Sequence, residues 1–285
     1  MVAPSSPFDR EAFERGVARL GQRYQMRYGE ALFERRGFLA GSDDRRANEL
    51  LRALRDPEVD AVVAARGGHG ATRILPRIDA GEVRRACKLL VGFSDVTALH
   101  AVWARAGVRS IHGPMVAALG RAEAAVVERW EAAVEGRLPE PLDGLEPVRE
   151  GRAEGPLVGG NLAVLAALAG TPYAPPVAGC VLFLEDVGER PYRVDRMLTT
   201  LRLAGWLDRV AGIVVGSFHD SPPGPDGVTV EQVLREALSE APVPVLMGVP
   251  AGHADDNLEL PLGAPVRIDA SAGRLTFLEP AVTAD

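Results

Sequence analysis

The chain has 285 residues, 47% of them hydrophobic and 25% charged, with a formal net charge of −7 and a pI near 5.4. That composition supports one large or two ordinary globular domains and excludes disorder over most of the length. The acidic balance argues against a nucleic-acid binder, which would carry a basic excess, and no apolar run reaches the roughly 18 residues of a membrane helix.

Taken in chain order, the first half alternates strand and helix signals. Met1-Val2-Ala3-Pro4-Ser5-Ser6 has no basic segment followed by an apolar one, so no signal peptide is expected, and Val2-Ala3-Pro4 reads as the end of a short strand. Phe13, Val17 and Leu20 at i, i+4, i+7 predict a helix over 8–24. Ser42 is placed to cap a helix over 43–54, with acids in its first turn. An apolar strand at 60–65 runs into Arg66-Gly67-Gly68-His69-Gly70. A second at 88–93 is followed by a helix over 95–106. Strands apolar on both faces, each followed by a helix, predict a parallel sheet covered on both sides.

The stretch 137–155 is rich in Pro, Gly and acids without periodicity, and reads as an interdomain linker that pairs in part as an irregular strand. Beyond it, Gly159-Gly160-Asn161 precedes an alanine/leucine helix. Strands are expected at 181–184, 210–218 and 243–249, helices at 191–207 and 229–241, and a hairpin at 258–279. The two cysteines, Cys87 and Cys180, sit beside apolar stretches and read as buried free thiols. Lys88 is the only lysine, which reflects genomic composition rather than function.

Ser94 stands where the strand at 88–93 gives way to a helix, in Gly92-Phe93-Ser94-Asp95-Val96. This is the layout of a nucleophile elbow, although Val96 replaces the second glycine of G-x-S-x-G. The competing reading is a plain helix cap. The glycine loop 66–70 is either a tight turn or a donor of backbone N–H groups to an anion, here to an oxyanion beside Ser94. None of the five histidines has zinc-pair spacing. His253, in the polar loop Pro250-Ala251-Gly252-His253-Ala254-Asp255-Asp256-Asn257, follows an apolar strand, and Glu185 ends another. Only one of Glu185 and Asp186 can face a given cleft. Serine, carboxylate and histidine in that order at strand ends match the Ser-Asp/Glu-His hydrolases.

Several blocks together resemble the LD-carboxypeptidases, also called muramoyltetrapeptide carboxypeptidases. They are Arg66 to Arg73, Gly92 to Leu99, His112-Gly113-Pro114-Met115, Gly159-Gly160-Asn161-Leu162, Phe183-Leu184-Glu185-Asp186, Pro191 to Leu198, and Gly252-His253 with Asp256-Asn257-Leu258. They occur in the family's order and span nearly the whole chain. The resemblance implies an N-terminal parallel-sheet α/β domain akin to class I amidotransferases (1–137), a linker (138–156) and a smaller C-terminal α/β domain (157–285), with the site in the cleft between them. It implies Ser94 as nucleophile, Glu185 and His253 as its partners, and the backbone N–H groups of Gly68 and Asp95 as the oxyanion hole.

It further implies removal of the terminal D-alanine from murein tetrapeptide in cell-wall recycling, by a cytoplasmic homodimer without metal or cofactor. Arg66, Arg73, Arg190, Arg193 and Asn161 are the candidates for binding substrate. His69 departs from the commoner tyrosine, and a start upstream of Met1 would supply the family's longer first strand. Three alternatives stand beside this reading. One is a microcin-immunity-type peptidase cleaving aminoacyl-nucleotide amides. Another is a non-catalytic nucleotide- or sugar-binding module. The third is an amidotransferase using Cys87, disfavoured because no turn is expected to expose that residue.

Overall fold

The computed structural model describes residues 1–254 and 256–283. Asp9 opens α1 (Arg10–Leu20) by accepting from the Ala12 N–H, and Ser42 opens α2 (Asp43–Arg55) by accepting from that of Arg45. Each cap satisfies an N–H that the first helical turn leaves unpaired. The chain then runs through β1 (Ala61–Val63), α3 (Ala71–Ile74), α4 (Ala80–Ala86), β2 (Leu89–Gly92), α5 (Thr97–Ala106), β3 (Ser110–His112), α6 (Val116–Leu119) and α7 (Ala124–Val134). It continues with β4 (Glu146–Arg149), β5 (Arg152–Asn161), α8 (Leu162–Leu168), β6 (Val181–Val187), α9 (Pro191–Leu203), β7 (Gly212–His219), α10 (Val230–Ser239) and β8 (Val245–Met247). The last strands are β9 (Leu260–Leu262), β10 (Pro265–Asp269) and β11 (Arg274–Phe277).

These strands form two sheets, as expected for a two-domain α/β chain. The first has the order β1-β2-β3-β9 and the second β11-β10-β5-β6-β7-β8-β4. In the first sheet β1, β2 and β3 are parallel, and Val2 continues the parallel run by bridging to Ala64. In the second, β5 to β8 are parallel. Both parallel cores are buried on both faces, which is why their strands read as unbroken apolar runs.

Three features differ from the sequence reading. The stretch assigned to a linker supplies β4 and the first half of β5, with β4 pairing antiparallel on β8 at the edge of the second sheet. The expected hairpin is β10 with β11, but β9 leaves that sheet and pairs antiparallel with β3 in the first. Cys87 is exposed, not buried. It ends α4 in a left-handed conformation at φ 48°, a turn that lifts its side chain out. It lies at the amino end of β2, the end opposite Ser94, which separates it from the elbow.

Candidate active site

β2 ends at Gly92, and Ser94 follows with φ 63°. A non-glycine residue in that region costs of order 1–3 kcal/mol and persists where the surroundings impose it. Val96, where the usual motif has a second glycine, packs over Gly92: a side chain there would lie 2.9 Å from Val96 Cγ1, so position 92 has room only for glycine. The Ser94 side chain caps no helix; its Oγ points instead to Nε2 of His253, 3.0 Å away. His253 Nδ1 in turn lies 2.7 Å from Glu185 Oε2. The three residues named from the sequence therefore meet in one line of hydrogen bonds. An ionised carboxylate only accepts, so Nδ1 carries the proton and Nε2 is left to accept from the serine hydroxyl.

Glu185 is fully buried near the end of β6. Burial pushes its carboxyl up from the ordinary range, and the bond from His253 pulls against that shift. Both acids of the pair are buried and serve different partners. The register of β6 against β7 shifts between Leu184 and Asp186. Asp186 then accepts from Asn161 Nδ2 at 2.9 Å and from the Ala163 N–H at 2.9 Å. The His253 ring packs edge-on against Phe93, with centroids 4.8 Å apart. Asn257 accepts from the Gly252 N–H at 2.8 Å, next to the histidine.

The glycine loop is tied to the elbow on one side and to the N-terminal segment on the other. The Asp95 carboxylate accepts from the Ala71 N–H at 2.7 Å. The fully buried Arg46 donates to the carbonyls of Gly70, at 2.7 Å, and of Pro4. A side chain at Gly67 would come within 2.9 Å of Ser94 Cβ and 3.1 Å of its Oγ, so the loop backbone lies directly against the serine. Gly68 has φ 111°, and its N–H donates to no acceptor among the described residues.

The candidate substrate residues fare differently. Arg73 is spent on Asp43, which it grips with Nε at 3.0 Å and Nη2 at 2.9 Å. Arg66 donates to the Pro7 carbonyl at 2.8 Å. Arg193 lies 3.3 Å from the Tyr192 hydroxyl and 3.7 Å from Glu189. Asn161 uses its amide nitrogen on Asp186 and its oxygen on the Val164 N–H, so both ends of its side chain serve the fold. Among the described residues only Arg190 of these has a side chain with no hydrogen bond or ion pair. It lines a cavity of about 800 Å³ between the start of α9 and α10. Asp255, in the polar loop with His253, lies outside the described residues.

Two family models cover most of the chain: the LD-carboxypeptidase N-terminal domain over residues 1–113 and the LD-carboxypeptidase C-terminal domain over 154–268. The chain belongs to the LD-carboxypeptidase family. Like the family, it is a serine carboxypeptidase, a hydrolase of peptide bonds. The murein tetrapeptide carboxypeptidase of Pseudomonas aeruginosa is 34% identical over 92% of this chain and 90% of that protein. The crystal structure of muramoyltetrapeptide carboxypeptidase from Oxalobacter formigenes matches with a TM-score of 0.85 and 30% identity, over 96% of each chain. The structure of MccF in complex with glutamyl sulfamoyl guanosine matches at 0.87 over 99% of this chain and 96% of that one, but with 23% identity, so that likeness concerns the fold. The serine and the glutamate approach each other from different sheets, Ser94 following β2 of the first and Glu185 lying in β6 of the second.

Proposed function

We propose that this LD-carboxypeptidase removes the terminal D-alanine from murein tetrapeptide, with Ser94, His253 and Glu185 as its catalytic residues. The observation that carries the reading is the unbroken line Ser94–His253–Glu185. Ser94 Oγ attacks the scissile carbonyl carbon as its proton passes to His253 Nε2. The N–H groups of Gly68 and Asp95 receive the oxyanion; losing one such donor typically costs about 10²–10³ in turnover. The C–N bond then breaks, and Nε2 returns the proton to the leaving amine of D-alanine. Water opens the acyl-serine ester by the same route. Glu185 holds the imidazole's orientation and stabilises its cationic form.

The leaving residue carries a free carboxylate, for which arginine is the fitting partner. Arg190 is the first to test, because its guanidinium is uncommitted and it follows Glu185 at the carboxyl end of β6. The family resemblance supports a cytoplasmic homodimer working in cell-wall recycling without metal or cofactor. Among the described residues no helix is long and apolar enough to cross a membrane.

The deciding experiment incubates the protein with murein tetrapeptide, its C-terminal amide and its L-alanine epimer, and reads products by mass spectrometry. Loss of one alanine from the acid, with a lower kcat/KM for the amide, supports the reading, because the amide forfeits the charge-assisted bond that a carboxylate makes to arginine. Equal rates on all three, or cleavage confined to an aminoacyl sulfamoyl nucleoside, would replace it with the amide hydrolase alternative.

A further inference from the structure

Arg129 lies on α7, in the stretch between the two matched family models. Its guanidinium reaches three points of the segment that carries His253. Nε donates to Glu259 Oε2 at 2.7 Å, while Nη2 lies 2.7 Å from Asp256 Oδ1 and 3.4 Å from the Asn257 carbonyl. Asn257 passes the constraint on, because its side chain accepts from the Gly252 N–H beside the histidine. The loop is closed at its base by the Leu258 N–H donating to the Pro250 carbonyl at 2.8 Å. Among the described residues between Met247 and Leu260, no helix or strand holds this segment.

Both ends of the contact are firmly seated. On α7, Val127 and Trp130 are buried, and Trp130 Nε1 donates to the Pro114 carbonyl at 3.0 Å. Glu259 has 2% of its surface exposed. It packs over the end of β3, where a side chain at Gly113 would lie 3.1 Å from its Cγ. Its second oxygen has no partner among the described residues. A buried carboxylate left without its cation is strongly unfavourable, so the pair resists separation.

We propose that Arg129 is a positioning residue for hydrolysis: it clamps the His253 loop to α7 and so sets the imidazole at bonding distance from Ser94. The inference rests on the roles of Ser94 and His253 proposed above. Nothing in it requires Arg129 to touch substrate. The forked guanidinium is suited to the task because Nε and Nη2 address separate acceptors from one rigid plane, where the donors of an ammonium rotate. Displacing a catalytic group by about 1 Å costs on the order of 10²-fold in rate.

The test compares the parent with R129A, R129K and R129M/E259M. It measures kcat and KM on murein tetrapeptide and the rate at which a fluorophosphonate labels Ser94, with circular dichroism as the check on folding. The expected result is a fall in kcat of roughly 10² for R129A with KM little changed, the signature of lost geometry rather than lost binding. Labelling slows in parallel, R129K recovers part of the loss, and added guanidinium ion restores R129A. The double variant removes the buried charge together with its partner, so it folds even where R129A does not, and it shows the same fall. Parental kcat and labelling rate in folded R129A or R129M/E259M overturns the clamp. A parent that is not labelled at Ser94 and turns over no tetrapeptide instead overturns the proposed function.

Discussion

Ser94 Oγ lies 3.0 Å from Nε2 of His253, although the two residues stand 159 positions apart. The serine follows β2 of the first sheet, and the histidine sits on the connection by which the chain returns from the second sheet to the first. Groups that share one proton path lose their effect together. Alanine at Ser94 or His253 is expected to lower kcat by of order 10⁴ or more, and the variant lacking Ser94, His253 and Glu185 to be no worse than the worst single one. Steady-state rates on murein tetrapeptide check this. Losses that multiply would show that the three residues act separately.

Gly67 gives a second, geometric test. The Cβ of Gly67→Ala would press on Ser94, whose Cβ and Oγ lie 2.9 and 3.1 Å from its position. Gly67 is not among the glycines with positive φ, so the backbone accommodates alanine and the strain falls on the serine. The expected outcome is a kcat lower by about 10², with a lowered thermal midpoint because the Phe93 carbonyl, 3.3 Å from the new Cβ, belongs to the backbone. A variant with parental kcat would show that the loop backbone and the serine are not held against each other.

His100 predicts how stability varies with acidity. It is buried with Nδ1 2.8 Å from Ser110 Oγ and Nε2 2.8 Å from the Gly92 carbonyl. Burial pushes its pKa down to about 4, while the Gly92 carbonyl opposes the shift. The folded state therefore binds fewer protons than the unfolded one between pH 6.5 and 4. The stability held above pH 6.5 is lost as the pH falls toward 4, by up to about 3 kcal/mol. The equally buried His112 acts in the same direction. Urea unfolding at pH 7, 5.5 and 4.5 should show a steeper loss for the parent than for His100→Gln. Parallel curves would remove His100 as the cause.

Asn161 separates a structural role from a substrate role. Its side chain caps α8 and holds Asp186. Asn161→Ala is expected to cost about 1 kcal/mol for the cap alone, and more for the buried Asp186 left short of a donor. Thermal unfolding reads this directly. An unchanged midpoint with a raised KM would return Asn161 to the substrate-binding set.

The parts of the site that could be read from the sequence are those where a local pattern has one structural meaning. The apolar run before Ser94 dictated a buried strand, and the polar residues after it dictated a turn at its carboxyl end. Glu185 and His253 also follow apolar runs, but it was the family resemblance, not a local pattern, that grouped them with Ser94. An irregular strand was expected within 137–155, but the edge position of β4 on β8 was not legible, because its Glu-Pro-Val-Arg segment has little buried surface and no alternation. β9 was missed because three residues around Pro261 carry no sign of which sheet they join; that choice depends on a pairing with Ser110, Ile111 and His112 far earlier in the chain. Cys87 was misplaced because its exposure depends on one left-handed residue. Which arginines are free to meet a substrate could not be read at all: the Arg73–Asp43 fork joins residues that no periodicity connects.

The position of β9 also governs when the protein can begin to work. The ribosome adds on the order of 5–20 residues per second, and domains commonly fold as they emerge. The first sheet, however, waits for Leu260–Leu262 to cover the open side of β3. Its edge stays bare while everything from Gly113 to Glu259 is synthesised. His253 is made only a few residues before that strand, so Ser94 lacks its imidazole partner until the segment just ahead of β9 has emerged. A nascent or truncated chain ending short of β9 would have an incomplete sheet and would be inert as a hydrolase.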